Sequence, residues 1–99
     1  MEPSEKDWQQ TVVEAAGYLG YETYHPFDSR RDNPGFPDLT LVRPKRLVFL
    51  ECKTNRGRLS RDQLKWLELL HTVEVVACGI SRPNNWEETL ALLRGEEWM

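Results

Sequence analysis

The strongest constraint on the fold is a pair of apolar, β-branched runs, Asp38–Val42 and Leu47–Lys53, separated only by Arg43-Pro44-Lys45-Arg46. So short a connection makes the two strands antiparallel neighbours, because a parallel pair needs a long crossover. Pro44 excludes a type I′ turn, so the spacing predicts a four-residue loop with proline second. If the loop is centred between Pro44 and Lys45, paired positions sum to 89 and Asp38 lies directly opposite Glu51. Opposed residues share a face, with Cβ atoms roughly 4.5–5.5 Å apart. Lys53, two positions beyond Glu51, points to that same face.

Two like charges this close are unfavourable unless something neutralises them. A hard divalent cation does so through carboxylate oxygens, and a neighbouring lysine stabilises negative charge developing on a phosphate. Asp38, Glu51 and Lys53 therefore describe a phosphodiesterase site. The competing reading of the same residues is an ion-pair cluster, Lys53 with Glu51 or Asp38, at a sheet margin.

The rest of the chain surrounds this hairpin with helices. Ser4, followed three residues later by Asp7, opens a helix along which Trp8, Val12, Ala15, Ala16 and Leu19 recur at helical spacing before Gly20. Tyr21 to Phe27 reads as a strand, and a polar loop containing glycine and proline runs to Phe36. After the basic loop Asn55-Arg-Gly-Arg58, Ser60 and Gln63 form a capping box for a helix through Leu64, Trp66, Leu67 and Leu70. Val73–Cys78 reads as a buried strand. Asn84 with Glu87, or Asn85 with Glu88, is expected to cap a last helix carrying Trp86, Leu90, Leu92 and Leu93. The expected fold is a single α/β domain over residues 1–99, αβββαβ with a C-terminal helix, its mixed sheet flanked by helices.

Charge sharpens the functional reading. The chain has a net charge of −3, which by itself argues against a nucleic-acid partner. Yet the stretch from Arg30 to Lys65 holds ten basic residues and four acids, a local charge of +6, against −9 for the remainder. An acidic chain of this kind can still present a positive face. Arg30-Arg31 and Arg56-Gly-Arg58 flank the candidate site, and Arg43, Lys45 and Arg46 at the far hairpin end could extend a phosphate track. Cys52 and Cys78 lie in apolar runs without metal-ligand spacing and read as buried thiols. No apolar run is long enough to span a membrane and no signal peptide is evident, so a cytoplasmic protein is expected.

Gly35-Phe36-Pro37-Asp38-Leu39, Glu51-Cys52-Lys53-Thr54, Gly57-Arg58-Leu59-Ser60, Gln63 and Trp66 together resemble the VRR-NUC branch of the PD-(D/E)XK nuclease superfamily. The resemblance runs from about Glu5 to Cys78 and on to Arg82-Pro83. It implies a restriction-endonuclease-like core and a DNA endonuclease using Mg²⁺ or Mn²⁺, with no nucleotide cofactor. It also implies a stand-alone protein of phage or bacterial type, similar to Holliday-junction resolvases, acting on branched DNA as a homodimer. A nicking or flap nuclease, or a silent DNA-binding module on the same fold, is the alternative. By matching position, Asp38 and Glu51 become metal ligands, Lys53 the catalytic lysine, and Cys52 a ligand through its backbone carbonyl.

Several further residues carry two readings each. Glu5 lies beside the apolar face of the first helix, whereas Glu14 is nearly opposite. It is therefore the better candidate for the family's helical glutamate at the metal, or else a first-turn acid complementing the helix dipole. Gln63 faces inward, either as a cap alone or also as support for the catalytic centre. Ser29 matches a loop whose hydroxyl approaches the scissile phosphate in resolvase-like relatives, or is ordinary turn chemistry. His25 is a phosphate contact or a structural histidine at a strand end. The four tryptophans exceed what so small a core requires, placing one or two in a subunit interface on this reading.

Overall fold

The computed structural model describes residues 2–25 and 34–96. Ser29, Arg30, Arg31 and Trp98 therefore lie outside the described residues. The element order is α1 (Glu5–Tyr18), β1 (Glu22–Tyr24), β2 (Leu39–Arg43), β3 (Arg46–Cys52), α2 (Arg61–His71), β4 (Val76–Ser81), a 3-10 turn (Pro83–Asn85) and α3 (Trp86–Arg94). The strands form one mixed sheet in the order β1-β2-β3-β4, antiparallel except for the parallel β3–β4 pair. This is the α/β, restriction-endonuclease-like arrangement expected from the sequence. Among the described residues, no helix is long and apolar enough to cross a membrane.

The hairpin has the expected register. Leu39 pairs with Leu50, Leu41 with Val48 and Arg43 with Arg46, so partners sum to 89 throughout. Arg43 and Arg46 themselves pair, so the loop is the two residues Pro44 and Lys45 rather than the four expected, and Lys45 adopts φ 66°, the left-handed conformation that the third residue of a type II turn requires. Leu39, Leu41, Val48, Leu50 and Cys52 bury one sheet face against Trp8, Val12 and Ala16 of α1 and Leu92 and Leu93 of α3. The other face receives α2, where Phe36 stacks edge-on between Phe49 and Trp66, with ring centroids 5.6 and 5.0 Å apart.

Ser4 caps α1 as expected, its Oγ accepting the Asp7 N–H at 3.1 Å. The fourth strand, in contrast, lies three residues later than the sequence pattern suggested, at Val76–Ser81 rather than Val73–Cys78. The Val73 and Val76 N–H groups close turns onto Leu70 O and Val73 O, and Val75 is 83% exposed. The apolar run thus began inside the turn leaving α2, and the strand continues through Gly79 to a fully buried Ser81.

The expected asparagine cap of α3 is also absent. Asn85 occupies the cap position without a side-chain cap bond, because its amide accepts the Arg82 N–H and donates to Ile80 O, each at 2.8 Å.

The far end of the hairpin needs a further correction. Arg43 donates to Leu19 O at 2.8 Å and Arg94 O at 3.2 Å, with its guanidinium 4.8 Å over the Tyr21 ring. Arg46 donates to Leu92 O at 2.7 Å. Both guanidiniums bind carbonyls at the C-terminal ends of α1 and α3, where cations complement the helix dipole, rather than forming a phosphate track. The three tryptophans among the described residues likewise have internal partners. Trp8 and Trp86 pack edge to face at 5.2 Å, Trp8 Nε1 donates to Ser81, and Trp66 packs on Phe36.

A non-glycine residue in the left-handed region is strained. Lys45→Gly should therefore stabilise the fold by about 0.5–1 kcal/mol, read as a raised midpoint in urea denaturation. Lys45→Val, which adds β-branching at the same φ, should lower it.

Candidate active site

The conserved geometry of an antiparallel ladder carries the site to the open end of the hairpin. The ladder ends at the Leu39–Leu50 pair, and the same register carried one step further brings Asp38 to Glu51, whose carboxyl feels its charge. Asp38 lies just before β2 and ties the strand ends together, Oδ2 accepting the Cys52 N–H at 3.0 Å. Pro37, fully buried, and Gly35 deliver it there. Gly35 has φ +87°, and a Cβ at this position would meet the Asp62 backbone carbon at 2.4 Å, so only glycine lets the loop pass the start of α2.

Glu51 is 2% exposed. Its Oε2 accepts from Gln63 Nε2 at 3.0 Å and lies 3.8 Å from Lys53 Nζ, whereas Oε1 is buried with no hydrogen-bond partner. Gln63 unites both of its readings. Its backbone N–H donates to Ser60 Oγ at 3.1 Å and its side-chain oxygen accepts the Ser60 N–H at 2.8 Å, completing the capping box. The same amide's nitrogen reaches Glu51. The helix cap thus orients the buried carboxylate. Lys53 Nζ also lies 3.6 Å from Glu5 Oε1, so α1 approaches the site through Glu5, while Glu14 bonds Gln10 on the exposed side.

Burial is the largest cause raising the Glu51 pKa to about 8 from the ordinary 4.5. The Asp38 charge adds to it, Lys53 opposes it, and a hydrogen bond to Asp38 and the charge of Glu5 raise it further. Two carboxyls can share a hydrogen bond only when one is protonated, which favours the neutral form; with both ionised, Glu51 Oε1 faces no donor. The Cys52 thiol, buried beneath the pair, is pushed far above the usual thiol range by burial first and then by Asp38 and Glu51. It is inert as a nucleophile.

Two opposed carboxylates, one with an unpartnered buried oxygen, suit a hard, oxygen-seeking cation such as Mg²⁺ or Mn²⁺. Among the described residues, no group of three or more His, Cys, Asp or Glu side chains converges to hold a metal. The side-chain donors brought together are Asp38 and Glu51, with Glu5 held by Lys53. Arg56 and Arg58 stand exposed in the loop after Lys53. His25 bonds the Gln9 side chain of α1. The grooves beside β4, lined by residues including His71 and Cys78, contain none of these groups.

Two contributors carried no assigned role in the sequence pattern. Ser81, fully buried, accepts from Trp8 Nε1 and bonds Thr89 Oγ1 at 2.9 Å, joining α1 and α3 to the end of β4. Arg82 follows it and reaches the loop after Lys53. A buried serine at a strand end has no periodic signature. Arg82-Pro83 was visible only as the tail of the resemblance.

A raised acid pKa means that the native state keeps a proton the unfolded chain has lost. In metal-free buffer its stabilisation is complete below pH 4.5 and is lost as pH rises to about 8. Urea denaturation with EDTA should show stability falling across that window, by on the order of a few kcal/mol. Glu51→Gln should flatten the profile and exceed wild type at the alkaline end. A flat wild-type profile would contradict the assignment.

A family model described as the VRR-NUC domain matches residues 6–80 of the chain. Searches among curated proteins and solved structures produced no match. The match runs from the second residue of α1, just past Glu5, through nearly all of β4 and includes Asp38, Glu51, Lys53 and Gln63. The chain belongs to the VRR-NUC domain family of nucleases.

Proposed function

We propose that this protein is a Mg²⁺- or Mn²⁺-dependent endonuclease that hydrolyses phosphodiester bonds in DNA, prefers branched substrates as a junction resolvase does, and works as a homodimer. The observation that carries the reading is the pairing of Asp38 with a buried Glu51 whose Oε1 has no partner, beside Lys53. An ion-pair cluster, in which both carboxyls are charged, leaves that oxygen without a donor, since Lys53 is shared between Oε2 and Glu5.

Asp38 and Glu51, with the Cys52 carbonyl, would hold the cation, and Glu5 is the further candidate ligand. The cation supplies Lewis-acid polarisation of the phosphate and a lowered pKa for water. Gln63 keeps the Glu51 carboxylate oriented through its bond to Oε2. The Lys53 ammonium, drawn to this position by Glu5 and Glu51, stabilises negative charge gathering on the phosphate oxygens as water adds and the leaving oxygen departs. Arg56 and Arg58 contact the DNA backbone, as do Arg30 and Arg31 in this reading. Such contacts position a duplex without reading its sequence. Ser29 and His25 remain proposals for the phosphate side of the site. A second symmetric copy would place two sites on opposite strands of a junction.

The test incubates the protein with labelled four-way junction, flap and linear duplex in Mg²⁺, Mn²⁺ or EDTA. Cleavage should need the divalent ion. Lys53→Ala and Asp38→Asn should each lower the rate by about 100-fold or more, with DNA still bound. Paired symmetric nicks across the junction support resolution, whereas cuts at one arm support the flap or nicking alternative. DNA binding without cleavage under any divalent condition supports a silent module. Sedimentation at ~0.15 M salt should give a dimer mass.

A further inference from the structure

Lys53 is the last residue before an irregular loop, so its position depends on what holds that loop. Its backbone N–H donates to Ser81 O at 3.0 Å, fixing the Cα end to β4. The ammonium end is shared between Glu5 at 3.6 Å and Glu51 at 3.8 Å, neither a close contact. The stem between them is confined by the following turn. Gly57 N–H donates to Thr54 O at 3.2 Å, and a Cβ at Gly57 would stand 3.3 Å from Lys53 Cδ and 3.1 Å from Thr54 Oγ1. The Gly57 backbone therefore lies directly against the lysine stem.

That turn is held from outside the family match, which ends at residue 80. Arg82 Nη1 donates to Thr54 O at 2.6 Å and Gly57 O at 2.7 Å, with Asn55 O at 3.4 Å. The Asn84 N–H donates to Asn55 Oδ1 at 2.8 Å from the same side. Arg82 is half-buried, and among the described residues no carboxylate stands within ion-pair distance of it. Its charge is satisfied by these carbonyls, in bonds stronger than neutral ones. All three contacts come from the one nitrogen Nη1, and a lysine ammonium at this position ends one bond short of it.

We infer that Arg82 is a positioning residue for Lys53, clamping the Thr54–Gly57 turn against the lysine stem so that the ammonium is delivered beside Glu51. This rests on the nuclease reading and adds a residue that acts through another rather than on substrate. Arg82 touches no catalytic carboxylate, so its effect belongs in the rate of the bound complex.

The experiment measures cleavage by Arg82→Ala, Arg82→Lys and Gly57→Ala in wild-type and Lys53→Ala backgrounds. Arg82→Ala should lower kcat by about 10- to 100-fold, because small misplacements of a catalytic group are costly. KM should change by less than about threefold, and Arg82→Lys should restore only part of the rate. Gly57→Ala, which leaves Arg82 in place and presses on the lysine stem, should also lower kcat. In the Lys53→Ala background, Arg82→Ala should cost less than about twofold, since nothing remains to position. Equal losses in both backgrounds, or an unchanged kcat, would overturn the inference.

If wild type itself cleaves nothing, the nuclease reading fails, and lysine Cε–Nζ correlation spectra then decide the inference alone. Arg82→Ala should move the Lys53 signal and leave Lys6, Lys45 and Lys65 in place. An unmoved Lys53 signal would overturn the positioning role.

Discussion

The register between β2 and β3 is the constraint on which the site depends. Side chains alternate along a strand, so a slip of one residue would send Asp38 to the opposite face from Glu51. The register is held at one end by the Pro44–Lys45 turn, strained at Lys45, and along its length by Leu39, Leu41, Val48 and Leu50 buried on the α1–α3 face. Opposed carboxylates work against the pairing, and the Asp38 bond to the Cys52 N–H partly offsets this by closing the open end. Hydrophobic burial fixes a geometry that electrostatics alone would disfavour.

Three elements then converge on that end, each through a residue that also has a structural task. Gln63 completes the α2 capping box and orients Glu51. Glu5 sits in the first turn of α1, where an acid suits the helix dipole, and pairs with Lys53. Ser81 ends β4 on the Trp8 indole while its carbonyl also accepts the Lys53 N–H. Because these side chains are shared, perturbing the site loosens the fold and the reverse. In Gln63 the cap and the bond to Glu51 coexist.

What could be read from sequence was what depends on local spacing. The hairpin register, the Ser4 cap, the Ser60–Gln63 box and the shared face of Asp38, Glu51 and Lys53 follow from period-two strands and fixed cap offsets. The start of β4 did not, because Val73 and Val75 look like strand residues and only the turn bonds exclude them. Asn84 and Asn85 matched a cap motif, but the Asn85 amide is engaged across the Arg82 turn. Arg43 and Arg46 looked like phosphate contacts because charge in sequence does not say which carbonyls lie nearby. Arg82 escaped for the same reason, its partners being more than twenty residues away.

The charge distribution takes a more definite form. Two cations of the basic segment are committed to helix ends, while Arg56 and Arg58 stand exposed in the loop that follows Lys53. In the proposed reading Asp38 and Glu51 together hold the cation, and in metal-free protein a proton on Glu51 offsets the charge of the pair. Calorimetric titration of Mn²⁺ at pH 7, in buffers of differing ionisation enthalpy, tests it directly. Because the Glu51 pKa is raised to about 8, binding should release close to one proton per site, and Asp38→Asn should abolish binding. Mn²⁺ uptake without proton release, or uptake unchanged in Asp38→Asn, would contradict it.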